Sequence, residues 1–317
     1  MQSTTSDRGK NISWMHRFAT LVSVVTFLLI VMGALVSASN STLVAPQWNG
    51  PVGNPLFFTD PPLKYGFAYW LTAAGTSLLT FLLAFWLWKS KVERHLKILA
   101  GLAAGALIVD IILGYIPILG RLSINHSLAN DCGIQILFCL AVCLALFTRN
   151  DWRWDHAKTP DIVSPSLRQI LIFTTGAVFL QAVLGEGASQ GKVRIAPHLV
   201  LGIIITSCAF WVLEMALTKF AHTPELRIPV ILFAELVGLE LFLGIITYSM
   251  RLNAQAASVS QPGVAVMQVT HAAVGELVLA ASLFVTFQAF KYLASEERVI
   301  ATVPFQETQQ VSSPDSY

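Results

Sequence analysis

Charge is what this sequence has least of. Only 12% of its 317 residues are Asp, Glu, Lys or Arg, about half the roughly 25% of ordinary soluble domains, while 55% are hydrophobic. So little polar surface excludes a soluble globule. Cysteine is scarce as well: the four present, Cys132, Cys139, Cys143 and Cys208, all fall inside apolar runs, away from loops where an oxidising compartment would pair them. The net charge of +2 says nothing of nucleic acid by itself, and with no basic recognition stretch no nucleic-acid partner is expected. No phosphate-binding loop, dinucleotide fingerprint or serine-nucleophile elbow stands in a credible setting. The closely spaced His, Cys and carboxylate clusters of zinc sites are missing, and so is the period-2 alternation of a membrane barrel.

What is there is a set of eight apolar runs, each about 20 residues long and sufficient to cross about 30 Å of hydrocarbon at 1.5 Å per residue. They span Ala19–Ser39, Gly66–Trp88, Ile98–Leu119, Leu128–Phe147, Ile170–Glu186, Pro197–Thr218, Ile228–Met250 and Val266–Phe290. Segments in lipid must satisfy their own backbone hydrogen bonds, so the expected fold is all-α, with eight transmembrane helices. Of the 20 Lys and Arg residues, Lys64, Arg121, Lys192, Arg194 and Arg251 fall on one side and the other fifteen on the opposite side. The excess of basic residues puts both termini in the cytoplasm. The first run has a basic flank but no clear small-residue cleavage site, and reads as a retained helix rather than a signal peptide. Residues 1–18 form an N-terminal tail, disordered to about residue 12. Residues 19–148 make a first four-helix bundle, 149–168 a charged cytoplasmic linker, 169–293 a second bundle, and 294–317 a disordered tail.

A repeat organises the chain. Three odd-numbered helices carry a polar residue followed four positions later by glycine: Asp110 and Gly114, Gln181 and Gly185, Glu240 and Gly244. Each is followed by a loop and a helix that opens with histidine, at His126, His198 and His271. Helix two offers Tyr69 at the matching depth. Such internal repetition points to two pseudo-symmetric bundles with sites at equivalent places.

Polar groups inside membrane helices face partners or ligands. A lone histidine near a helix end is more simply a helix-to-helix hydrogen bond, but three at equivalent positions of a repeat suggest ligation. Haem iron suits them, because neutral imidazole is a common axial ligand and facing helices can clamp a flat ring. His198 and His271 would form a bis-histidine site, with Gly202, Ala272, Ala273 and Gly275 allowing close approach, or serving only as packing residues. His126 would ligate a haem in the first bundle, opposite Tyr69, with one iron position open. Asp131 and Glu276 lie about one and a half turns beyond His126 and His271 and are either proton carriers or partners of polar neighbours. Asp131 and Tyr69 are the candidate catalytic residues. Lys192 and Arg194 could pair haem propionates or form a solvated loop. His16, His95, His156 and His222 read as solvated.

With its first-helix stretch Met32-Gly-Ala-Leu-Val-Ser, its Leu180–Gly185 stretch Leu-Gln-Ala-Val-Leu-Gly and histidines opening its even helices, the chain resembles the haem A synthase family from about Phe27 to Leu293. That resemblance implies a membrane oxidoreductase of haem A biosynthesis and cytochrome oxidase assembly, oxidising the haem O methyl group to a formyl. It implies haem b on His198 and His271, and haem O and haem A as substrate and product in the N-terminal bundle, where His126 matches the family's helix-four ligand. Haem O synthase and oxidase assembly factors are the expected partners, and a bacterial plasma membrane the expected location. The family's glutamate and His-Arg at the start of helix two are replaced here by Gly66-Phe-Ala-Tyr69-Trp70, and its outer-loop cysteine pairs are absent. The alternative is a b-type haem protein, relay or carrier, that has lost the N-terminal active site.

Overall fold

The computed structural model describes residues 3–39, 61–115, 126–152, 158–161, 164–257 and 262–294. Eight helices carry the chain: α1 (Ser3–Ala38), α2 (Pro61–Lys89), α3 (Arg94–Tyr115), α4 (His126–Phe147), α5 (Leu167–Ser189), α6 (Ile195–Thr218), α7 (Pro224–Ala257) and α8 (Pro262–Tyr292). All eight are long and apolar enough to cross a membrane, as expected for an all-α integral membrane protein. The expected end of the third span, residues 116–119, lies outside the described residues, as does the tail from residue 295 onward. At the other terminus the expected disordered segment differs: α1 is helical from Ser3. Once the membrane-embedded turns are fixed, extending a helix by one residue costs little compared with nucleating it.

Packing follows a simple scheme. Helices α1 to α4 form one ring, with α1 and α3 each against α2 and α4, and α5 to α8 form another, with α5 and α7 each against α6 and α8. The rings meet along α1, α4, α5 and α8. Met15, Ala19, Leu83, Leu87, Leu137 and Leu144 are buried in the first core, and Leu171, Val212, Met215, Phe233, Leu279 and Val285 in the second. Outward faces stay apolar, as on α6, where Ile203 is 65% and Phe210 66% exposed. A helix apolar all round fits lipid on one side and core on the other.

The segment between the rings is ordered where it is described. Ser166 and Gln169 form a reciprocal capping box at the start of α5, and the Asp161 carboxylate accepts from the Leu167 and Arg168 amides, both at 3.2 Å. Together these groups satisfy N–H donors that a helix start leaves unpaired. Strand β1 (Thr159–Pro160) pairs in parallel with β2 (Leu293–Ala294), directly after α8. Lys158 Nζ donates to the Phe290 carbonyl at 3.0 Å. His16, expected in solvent, is half-buried with Nδ1 2.9 Å from the Ala145 carbonyl, because α1 already packs on α4 at that level. His95 is half-exposed, with Nδ1 3.3 Å from Glu93, His222 is exposed, and His156 lies outside the described residues. All four cysteines are free thiols within helices.

Candidate functional site: a histidine pair in a membrane cavity

The second ring encloses a cavity of about 300 Å³ whose wall includes Gln181, Gly185, His198, Glu240, Gly244 and His271. Thus the polar-to-glycine repeat of α5 and α7 converges on one space with His198, in the first turn of α6, and His271, which lies in the third turn of α8 rather than at its opening, because α8 already begins at Pro262. The His198 and His271 rings lie next to each other, nearly perpendicular, with centroids 6.1 Å apart and planes at 85°. Two metal–imidazole bonds of about 2 Å, with each nitrogen about 1 Å from its ring centre, give a similar separation. Among the described residues no group of three or more His, Cys, Asp or Glu side chains could hold a metal ion.

Each ring is positioned from behind. The Nδ1 of His198 donates to the Gln181 carbonyl at 3.2 Å, selecting the tautomer that leaves a lone pair on Nε2, which lies a long 3.4 Å from the Gln181 amide nitrogen. His271 Nδ1 lies 3.0 Å from Glu240 Oε1, although without the alignment of a full hydrogen bond. Outer partners of this kind fix the orientation and basicity of metal-ligating imidazoles. Glycine supplies the room: a Cβ on Gly185 would sit 3.0 Å from the His198 ring, and one on Gly244 3.1 Å from the His271 ring. The fit extends further inward, where Gly202 faces the Gln181 amide and Gly275 the Glu240 carboxylate. The Gln181 Oε1 and Glu240 Oε2 atoms are buried without a hydrogen-bond partner, and buried polar atoms of that kind call for a ligand or water. These residues fit a haem held by His198 and His271.

The first ring repeats the arrangement with other side chains. A Cβ on Gly33 of α1 would sit 3.6 Å from the Tyr69 ring, and one on Gly114 of α3 3.5 Å from Asn130 Oδ1. The Tyr69 hydroxyl lies beside the Asn130 side chain. Hence Tyr69 and Asn130 take the glycine-facing places that His198 and His271 take in the second ring. His126 is the first residue of α4, one turn before Asn130, and its side chain lies outside the described residues.

The carboxylates divide between core and seam. Asp110 is buried against Gly133 of α4, with neither oxygen hydrogen-bonded. Asp131 and Glu276 both bond across the contact between rings: Gln190 Nε2 donates to Asp131 at 2.7 Å and to Glu186 at 2.7 Å, and Gln135 Nε2 donates to Glu276 at 2.5 Å. Gln135, Glu186 and Glu276 also border the cavity. Lys192 and Arg194 are exposed and do not line it; the cation in its wall is Arg251 of α7.

Sequence reading passed over Asn130, Gln135, Glu186 and Arg251. Arg251 carried a signal, since Glu240, Gly244, Thr247 and Arg251 follow the spacing of one helix face. Asn130 and Gln135 depend on how α4 packs, which no local pattern encodes, whereas Glu186 of α5 stands one turn before Gln190, which donates to it. The chain matches no protein-family model, and no curated protein matches it.

Proposed function

We propose that this is a membrane haem protein of the haem A synthase type, with haem b held by His198 and His271 and a role in cytochrome oxidase assembly in a bacterial plasma membrane. The observation that carries the reading is the adjacent imidazole pair, with each Nδ1 met from behind and each ring set against a glycine. When bound, haem b supplies a one-electron couple. In this role the Gln181 carbonyl and Glu240 orient the two ligands.

Oxidation of a haem O methyl group would fall to the first ring, with Tyr69, Asp131 and His126 as the residues available and haem O synthase as the supplier of substrate. A second reading, a b-type relay or carrier without that activity, is favoured by Tyr69 and Asn130, each set against a glycine, at the positions corresponding to the histidine pair.

Pyridine haemochrome analysis of the purified protein tests the shared part. One haem b per chain is expected, and its loss in His198→Ala and in His271→Ala. A b-type spectrum unchanged in both variants would overturn the ligand assignment. Expression beside a haem O synthase, followed by chromatography of the extracted haems, separates the readings: haem A or its alcohol precursor supports the synthase, and haem O alone supports the relay.

A further inference from the structure

The cavity has two unlike ends. Toward the seam its wall carries acceptors, with Gln135 Oε1 and Glu276 Oε2 buried and unpartnered. Toward the last turns of α7 it carries Tyr248, Arg251 and Gln268. Arg251 is half-buried, and no ion pair or hydrogen bond engages it among the described residues. It shares a helix face with Glu240, Gly244 and Thr247, and stands seven residues, or about 10 Å, beyond the glycine that seats His271.

A guanidinium cannot shed its charge, and a half-buried cation is costly unless it faces a cavity, a partner or a ligand. Its planar fork of donors matches a carboxylate at two points. We infer that Arg251 recognises a carboxylate of the cavity's ligand, so that the ligand lies with its acidic edge toward the end of α7. This deepens the haem reading and rests on it, since the propionates are the acidic edge of haem b. The mouth between α6 and α7 is bordered by the lipid-exposed side chains of Leu199, Leu241 and Ile245, so an apolar ring with one anionic edge can reach the histidines from within the bilayer.

The test titrates haem-free protein in lipid nanodiscs with ferric haem b and, separately, with its dimethyl ester, whose carboxylates are masked. Binding is followed by the Soret band and the bis-imidazole spectrum. The free acid is expected to bind roughly tenfold to a hundredfold more tightly than the ester, the range of a charge-assisted pair. Arg251→Leu should lower haem affinity to the ester's level while leaving ester affinity in place, and Arg251→Lys should keep part of the preference. Equal binding of acid and ester by the unaltered protein overturns the role of Arg251 and leaves the haem reading standing. Failure of both to give a bis-imidazole spectrum overturns the haem reading and the inference with it.

Discussion

Gly185 and Gly244 do their work by what they lack. Each leaves room for an imidazole that a methyl group would crowd by a few tenths of an ångström. Gly244→Ala is therefore expected to turn the His271 ring away from its partner while the helix persists, since alanine favours helix over glycine. Disturbing ligand orientation typically costs 10- to 100-fold in metal affinity, and a loss within about that range is expected in haem titration, with circular dichroism unchanged. Full affinity in the alanine variant would argue that the ring is not held in place by this contact. Glu240→Ala should act in the same direction by removing the group behind His271 Nδ1, and Glu240→Gln should restore part of the loss. At the surface, Arg149 pairs with Asp151 at 2.7 and 3.0 Å and holds its carboxyl below the usual range. A depressed folded pKa adds stability above the unfolded value of about 3.9 and loses it as pH falls through the folded one. Asp151 is largely exposed and Arg149 partly so, which keeps the effect under about 1 kcal/mol. Asp151→Asn should leave the thermal midpoint at pH 7 nearly unchanged, and a large drop would contradict that.

Between helices, one rule recurs: a glycine on an odd helix receives a side chain from the next helix, and the pairs are Gly33 with Tyr69, Gly114 with Asn130, Gly185 with His198 and Gly244 with His271. Three of the four glycines were legible in the sequence through the polar residue four positions earlier. The fourth was hidden because Leu29 stands at that place in α1. Tyr69 was legible by depth. Asn130 was not, because the register of two helices is set by packing along their whole length rather than by loop spacing. The eight helices could be read because length and apolarity in lipid leave few alternatives; the end-on fit of side chain to glycine could not. The same fit makes α3 and α4 testable. A methyl group on Gly133 would overlap the Asp110 carboxylate, so Gly133→Ala should lower stability by about 1–3 kcal/mol, as overpacking does. Adding Asp110→Ala should recover most of it in a double-mutant cycle of thermal unfolding. Additive losses would show that Asp110 is not what Gly133 accommodates.

Taken whole, the molecule is two rings fastened along a polar seam. Gln135 with Glu276, and Gln190 with Asp131 and Glu186, bridge helices of different rings. Gln135→Leu would strand a buried carboxyl, and the expected loss is about 1–3 kcal/mol, read as a lower thermal midpoint in detergent. Replacing Gln135 and Glu276 together by leucine should return much of the stability, since apolar groups of similar shape need no partner. If the double variant is no better than the single one, the seam pair is more than a satisfied hydrogen bond, and its place in the cavity wall becomes the reason to keep it. The second ring also has a clasp. Thr159 and Leu293 are neighbours in a two-stranded pairing, so the stretch that leads into α5 and the stretch that leaves α8 meet at one point. A chain segment whose two ends already touch is topologically a closed loop: its ends could be joined and new ones opened elsewhere, and the four helices around the histidines would still know their order in space.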